Sequence, residues 1–393
     1  MDVLRVGIAG LGGYAGVHHG AVRYLEEQGV CQLIATCDPD LEGQRDAISK
    51  FGLIERGVRL LGTYEQMLDE ALDAVLLPTP IPLHAQQHRL AVERGLGVYL
   101  EKPPTLWWPE FLAMMEAEAK ARFATQVGFN FVGDPLRLEI KRRILAGEFG
   151  KVEGATFLAI WPRDLAYYQR NNWAGRMEVN GHPVRDSCIG NALAHNIQDL
   201  LFWCGDGIAE IQSVQARLFH AHPIESFDTA FVRAELDGGA WLRIGVTHAG
   251  ADAQLDREQI FCSRAMITFD RWHHCRIEHQ SGDIEELESS LTEAPGTPGY
   301  NIGEYFAYLR GERDRPITTL EDSRSFVALN NLTFLSAGKV ESFAPERVIS
   351  VKETRQVVVA GLEKELERFV DHGDWPDWEP KPASSQLLEE LLG

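Results

Sequence analysis

The stretch VGIAGLGGYAG, residues 6–16, decides the fold. Its first half belongs to the apolar run LRVGIA (4–9), which reads as a buried strand, and its second half opens a helical pattern that reaches about Gln28. Between the two, Gly10, Gly12 and Ala15 stand in the spacing G-x-G-x-x-A. Each small residue answers a separate need: a tight turn, close backbone approach to a pyrophosphate, and contact between helix and strand. The helix that follows presents N–H groups to phosphate oxygens. The second strand, CQLIATC (31–37), is followed at once by Asp38, at roughly the distance of 20 residues that a dinucleotide site requires. A carboxylate there accepts hydrogen bonds from ribose hydroxyls and repels a 2′-phosphate, which favours NAD over NADP. Arg45 lies beyond and softens that preference, so NADP stays open. The competing reading is a glycine-rich turn with a capping aspartate.

Outward from this stretch the alternation continues. A helix is expected over 41–51, a strand at DAVLLP (73–78), a helix over 83–95 closed by Gly95, a strand at GVYLE (97–101), a helix over 108–122 and a strand at ATQVGFN (124–130). Strand–helix alternation implies a parallel sheet with helices on both faces. After a helix over 135–146 the pattern changes to strands with few helices between them: 151–161, 211–219, 227–236, 239–249, 258–263 and 265–270, with a hairpin signal at DGG (237–239). This predicts an open antiparallel sheet, covered on one side by helices around 190–203, 302–311 and 322–337 and on the other by a second subunit. The tail reads as a helix over 355–370 followed by an extended latch, DWPDWEPKPASS (374–385).

Composition narrows the function classes. Hydrophobic residues make up 45% and charged residues 24% of 393 residues, enough for two domains with cores of their own. The net charge of −20 opposes a nucleic-acid backbone as partner. The six cysteines show no CxxC spacing, which suits reduced thiols and a cytoplasmic location better than a disulfide framework. No secretory leader, membrane span, internal repeat or metal-ligand spacing such as HExxH is expected. Of the adjacent pair His18 and His19, one is expected to pack and the other to face solvent, since neighbours on a helix point apart.

Several further pieces carry a family resemblance: CDPD (37–40), LLPTPIPLHAQQHRLAVERGLGVYLEKPP (76–104), VGFN (127–130), EFGKV (148–152) and NALAH (191–195). Together with residues 6–16 they resemble the glucose–fructose oxidoreductase, inositol dehydrogenase and rhizopine-catabolism family (Gfo/Idh/MocA), in the right order over roughly residues 3 to 340. The resemblance implies an α/β Rossmann domain over 1–126, an α+β substrate-binding and oligomerisation domain with a large open, mainly antiparallel sheet over 127–345, and a C-terminal helix and tail over 346–393. It implies NAD, with NADP possible, held by Gly10, Gly12, Gly13, Tyr14, Ala15, Asp38, Thr79, Pro80, His84, Glu101, Lys102 and Asn130. It also implies hydride transfer at a secondary alcohol of a sugar, sugar derivative or cyclic polyol, in a homodimer or homotetramer formed through the open sheet.

By the same resemblance Lys102 stabilises alkoxide character on the reacting oxygen and His195 moves the hydroxyl proton; no metal is implied. Asn191 and His195 are i, i+4 and share a helix face, but much of the family carries Asp where this chain has Asn191. A neutral amide supports an imidazolium less well than a carboxylate. The long connection WPRDLAYYQRNNWAGRMEVNGHPVRDS (161–187) has the length of a binding loop. In it Arg163, Tyr168, Asn172, Trp173, Arg176 and Asp186 are residue types that suit a sugar, as is Asn191. Two alternatives remain at this stage: an enzyme that retains NAD and oxidises a sugar transiently to permit elimination or glycosidic cleavage, and a non-enzymatic NAD(P)-sensing regulator.

Overall fold

The computed structural model describes residues 3–251, 254–270, 273–291, 296–351, 355–377, 386–387 and 391. The chain divides into two compact units, Met1–Thr105, Pro109–Asp134 and Ser290–Ser323 in the first, and Leu106–Trp108, Pro135–Ser289 and Arg324–Gly393 in the second. Among the described residues no helix is long and apolar enough to cross a membrane.

The first unit begins with β1 (Leu4–Ala9), α1 (Ala15–Glu27), β2 (Cys31–Cys37), α2 (Arg45–Lys50), β3 (Arg59–Leu61), α3 (Tyr64–Leu68), β4 (Ala74–Leu77), α4 (Ile81–Val92), β5 (Gly97–Leu100), α5 (Trp108–Glu118) and β6 (Gln126–Val127). Its six strands run parallel in the order β3-β2-β1-β4-β5-β6, the doubly wound arrangement of a Rossmann fold. Every residue of β4 and β5 is buried, as strands covered on both faces require. The third strand in sequence, β3, is an addition to the strands read from the sequence. It is only three residues long and half exposed, too short for an apolar pattern to register. The helix expected over 41–51 shortens to α2, with turns before it.

The chain continues with α6 (Pro135–Leu145), β7 (Val152–Ile160), α7 (Leu165–Gln169), β8 (Glu178–Val179), β9 (His182–Pro183), α8 (Ala194–Cys204), β10 (Ile211–His220), β11 (Thr229–Leu236), β12 (Trp241–Thr247), β13 (Leu255–Cys262), β14 (Ala265–Asp270), β15 (His274–His279) and β16 (Ile284–Glu288). There follow α9 (Gly296–Leu309), α10 (Arg324–Ala337), β17 (Val340–Ser342), β18 (Val348–Val351), β19 (Gln356–Val359), α11 (Leu362–His372) and β20 (Gln386–Leu387). Helix α9 belongs to the first unit: Ile302, Tyr305 and Phe306 enter the core formed by β1, α1 and β2, and the Tyr305 hydroxyl accepts the Val98 N–H at 2.7 Å. The helix does not cover the second sheet, where its sequence position suggests it. Apolar spacing shows that a helix has a buried face, not which sheet the face meets.

The large sheet of the second unit has the order β16-β15-β14-β13-β7-β12-β11-β10-β17, with β20 also paired to β10. It is mainly antiparallel, but β7 pairs β12 in parallel, as β10 does β17. The period of two then divides its residues. Phe157 and Glu258 face α6 and α8, while Leu158, Phe231 and Phe219 face α11 and Trp375. The C-terminal helix thus covers part of the face that had been left to a second subunit. A side chain at Gly245 would meet Val370 at 2.7 Å, so α11 approaches β12 as closely as it does because this position is glycine. Helix α11 lies between two left-handed glycines, Gly361 and Gly373, which explains its start seven residues later than the sequence suggested. Of the expected latch, residues 378–385 lie outside the described residues.

Helix α8 is fixed to the sheet by charge as well as by apolar packing. Arg137 of α6 is 1% exposed and lies 3.1 Å from both Asp199 of α8 and Glu258 of β13. Its guanidinium stacks on Phe269 at 4.2 Å, and Trp203 donates to Glu258. Two buried carboxylates with one cation between them cannot tolerate loss of the cation. Arg137→Ala is expected to destabilise the second unit by about 3–5 kcal/mol, read as a lowered urea midpoint. Arg137→Ala combined with Glu258→Met removes part of the stranded charge and is expected to recover part of that loss.

Candidate functional site

At the carboxyl ends of β1, β2 and β4 the first unit holds a cavity of about 490 Å³, lined among others by Gly10, Gly12, Asp38, Thr79 and Pro80. Gly10 has φ +102°, a backbone conformation that favours glycine, and its N–H donates to Cys37 O. At Gly12 a Cβ would sit 2.9 Å from the Gln44 side chain. Helix α1 then begins with no side-chain cap and no acidic residue in its first turn. The N–H groups of Gly12, Gly13 and Tyr14 donate to no acceptor among the described residues. A helix end left in this state has N–H groups that suit an anion. Asp38 accepts Leu11 N–H on one oxygen at 3.0 Å and Asp40 N–H on the other at 2.9 Å, which aims its carboxylate into the cavity. Arg45 is turned outward to Glu42. The donor set fits a dinucleotide: free N–H groups for a pyrophosphate and a carboxylate for ribose hydroxyls.

Beside the cavity, the loops after β4 and β5 are tied together by one ring. His84 of α4 is 1% exposed, with Nε2 at 2.8 Å from Thr79 O and Nδ1 at 2.9 Å from Pro103 O. Burial pushes its pKa down, against the two carbonyls and the charge of Glu101. The Lys102–Pro103 bond is cis. Glu101, 5% exposed, accepts His18 Nε2 at 2.9 Å and the Lys102 N–H at 3.2 Å. Asn130 Oδ1 accepts the Tyr99 hydroxyl at 2.8 Å, and Asn301 donates to Asn130 O at 3.1 Å. The Lys102 backbone is therefore held by its neighbours on both sides, and its side chain stands half-buried. Both His18 and His19 are fully buried, where one was expected in solvent: His18 meets Glu101, and His19 stacks on Phe51 with Nε2 at 3.1 Å from Gly10 O. They point apart, as adjacent helical residues must, but the sheet and its loops surround both.

All twelve residues expected at a cofactor thus lie in the first unit; the remainder lie in the second. The connection 161–187 contains α7, capped by Asp164, and a two-strand hairpin, β8–β9, turned by Asn180 and Gly181. Tyr168 shares a hydrogen bond of 2.8 Å with His248 Nδ1, and its ring lies 4.8 Å from that of His222. His222 in turn meets Asp228 at 2.7 Å and Arg163 O at 3.0 Å. The Arg163 guanidinium lies over Tyr167 at 4.7 Å. The Trp173 N–H is held by Asn171, with Arg170 over its ring. Asn172 and Arg176 are exposed, and Arg176 pairs with Glu225.

The shared helix face expected of Asn191 and His195 is not formed by one continuous helix. Cys188–Ala192 make a π-helical turn, Leu193 departs from helical geometry, and α8 starts at Ala194. Such turns recur at functional sites. The carboxylate that Asn191 lacks is supplied by its neighbour: Asp186, 3% exposed, accepts Asn191 Nδ2 at 3.0 Å and Gly175 N–H at 2.7 Å. Sequence reasoning also missed Thr63, Tyr64 and Gln87, which line the cavity. Thr63 and Gln66 form a reciprocal capping box, and the TYEQ pattern (63–66) carries that signal.

Residues 4–129 match the model of the oxidoreductase family, NAD-binding Rossmann fold (Gfo/Idh/MocA). The chain is 33% identical over 148 residues to scyllo-inositol 2-dehydrogenase (NAD(+)) of Bacillus subtilis, and 35% identical over 150 residues to inositol 2-dehydrogenase 4 of Saccharopolyspora erythraea. Each alignment covers 38% of this chain and less than half of the relative, 42% and 43%. Among solved structures, the WlbA dehydrogenase of Bordetella pertussis, in complex with NADH and UDP-GlcNAcA, superposes with a TM-score of 0.70 at 24% identity, covering 86% of this chain and 97% of that one. The likeness to the Gfo/Idh/MocA family is carried by the first third of the chain, residues 4–129.

Two buried histidines give the molecule an acid dependence. Burial pushes His19 down to about 4 and His248 to about 3. Each folded value lies below the ordinary histidine value of about 6.5, so the unfolded chain binds the extra protons first. The stability these groups contribute is complete above pH ~6.5 and is lost as pH falls toward the folded values. The unfolding midpoint is expected to drop between pH 6.5 and 5. His19→Gln, which can still donate to Gly10 O, is expected to flatten the slope by up to about 1.4 kcal/mol per pH unit. An unchanged slope in that variant would show that His19 is already protonated in the fold.

Proposed function

We propose that this protein is an NAD-dependent oxidoreductase acting on a secondary alcohol of a sugar, sugar derivative or cyclic polyol. The observation that carries this reading is the cavity at the strand ends, where an uncapped helix terminus and the Asp38 carboxylate meet in a unit of the NAD-binding family. The relatives named for inositol oxidation support the substrate class. Bound nicotinamide supplies the acceptor or donor of the hydride.

The chain's own residues supply the rest. Gly12, Gly13 and Tyr14 offer backbone N–H groups to the pyrophosphate, and Asp38 accepts from the adenosine ribose. Lys102, fixed in its loop by Glu101 and by the His84 tie to Pro103, holds the reacting oxygen and stabilises negative charge as it develops there. His195 takes the hydroxyl proton in oxidation and returns it in reduction; an imidazole suits the step because its ordinary pKa lies near neutrality. Asp186 acts as a positioning residue: it takes one amide hydrogen of Asn191 and thereby sets which way that side chain presents its oxygen. Assembly through the part of the large sheet that α11 leaves uncovered belongs to the same reading and is measurable by light scattering.

The test is absorbance at the NADH band with NAD⁺ and, separately, NADP⁺, against hexoses, inositols and sugar acids. Lys102→Ala is expected to lower kcat by about 10²–10³-fold and His195→Ala by about 10²–10⁴-fold, both with NAD⁺ binding retained. Turnover untouched by Lys102→Ala would sink the assignment of that residue. A wild-type protein that binds NAD⁺ and turns over no member of the set would sink the dehydrogenase reading.

A further inference from the structure

The most unusual cation of the second unit is one that sequence reasoning passed over. Arg185 sits between the β8–β9 hairpin and the π-helical turn at Cys188–Ala192. Its φ is +51°, in the left-handed region that favours glycine. Hydrogen bonds on both sides enforce that backbone: Val184 and Arg185 N–H both reach Met177 O, at 2.9 and 3.1 Å, and Asp186 N–H reaches Arg176 O at 3.1 Å. A strained non-glycine residue persists only where the surroundings over-determine it, and such residues gather at ligand sites.

The side chain is as constrained as the backbone. Nη1 donates to Asn331 Oδ1 at 2.6 Å, and the guanidinium lies 5.7 Å from the ring centre of Phe334. Asn331 cannot turn away, because its Nδ2 donates to Val327 O at 2.8 Å and to Leu106 O at 3.2 Å. The fork is therefore aimed. Yet it meets no carboxylate within ion-pair distance among the described residues, in a chain with 58 acidic and 38 basic side chains. Burial lowers its pKa. An arginine has five N–H donors in a fork that matches carboxylate and phosphate, and among the described residues a single hydrogen bond uses one of them. Half-burying a cation without a counter-ion is unfavourable, and a ligand that brings the anion removes the penalty.

We infer that Arg185 is a specificity-determining residue whose guanidinium takes an anionic oxygen pair, a carboxylate or a phosphate, on the sugar or polyol substrate. The inference rests on the dehydrogenase reading and narrows its substrate class from sugars at large to acidic sugars. Asp186, the next residue, holds Asn191 at the entry to α8, so the anion-binding fork and the segment carrying His195 are joined by a single short run of chain. The neutral relatives of such a substrate leave the fork unsatisfied and are bound more weakly.

The experiment compares D-glucuronate, D-glucose 6-phosphate and D-glucose as probes, by calorimetric binding in the presence of NADH and by turnover with NAD⁺. The proteins are the wild type, Arg185→Met and Arg185→Gly. Glycine relieves the left-handed backbone, so Arg185→Gly is expected to keep the wild-type melting temperature while losing the fork. At least one acidic probe is expected to bind the wild type about 10- to 100-fold more tightly than glucose, and both variants are expected to abolish the difference. Preference for glucuronate alone identifies a carboxylate, and for the phosphate alone a phosphoryl group. Equal or absent binding of all three probes by the wild type overturns the inference, as does a preference that survives in both variants. A large drop in melting temperature for Arg185→Gly also overturns it, since the residue would then serve the fold. Acid-selective binding without NADH formation would sink the dehydrogenase reading and leave the anion site standing. Equal turnover of neutral sugar by wild type and Arg185→Met, with no acid preference, would do the reverse.

Discussion

One buried imidazole governs the geometry of the first unit's working edge. His84 lies with one ring nitrogen against Thr79 O and the other against Pro103 O, so the loops that leave β4 and β5 cannot move independently. A backbone carbonyl withdrawn from water needs a donor, and here carbonyls of two different loops lie against one ring, whose neutral form donates to one of them at a time. Lys102 sits inside that tie, and Glu101 holds the backbone on its other side while also bonding His18 of α1. The glycine turn before α1 is reached through the same helix, since His19 bonds Gly10 O. The glycine turn and the lysine loop are thus parts of one hydrogen-bonded frame.

The second unit solves a different problem. Its large sheet has two faces, and the chain covers them with separate devices. On one face α8 is locked by Arg137 between two carboxylates, and on the other α11 packs apolar residues against β7, β10, β11 and β12. The lock bears on the proposed chemistry because α8 carries His195, the proposed proton carrier, in its first turn. The π-helical turn that precedes it brings Asn191 onto Asp186. A charge absent from the expected position is thereby present one side chain away.

Much of this could be read from residues alone. The parallel sheet followed from apolar runs alternating with helical patterns, because strands buried on both faces leave an unbroken signal, as AVLL and GVYL do. The glycine turn and Asp38 followed from what a pyrophosphate and a ribose demand. What stayed hidden depends on partners distant in sequence. Helix α9 shows its apolar face in the sequence, but the core that it joins is built largely from β1, α1 and β2 at the start of the chain. The role of α11 was obscured because its boundaries are set by two left-handed glycines rather than by periodicity. The Asp186–Asn191 bond was hidden because even helical spacing was assumed where a π turn intervenes. Arg185 was hidden because neither its φ nor the lack of a counter-ion among the described residues leaves a mark on the sequence.

The central claim is that the strand-end cavity of the first unit holds a dinucleotide whose ribose is read by Asp38. It is tested most directly by calorimetric titration of NAD⁺ and NADP⁺ into the wild type and Asp38→Ala. The account predicts saturable binding of one NAD⁺ per chain, weaker NADP⁺ binding in the wild type, and a gap between the two that narrows in the variant as the repelling carboxylate is removed. No binding of either cofactor, or a gap indifferent to Asp38, would contradict it.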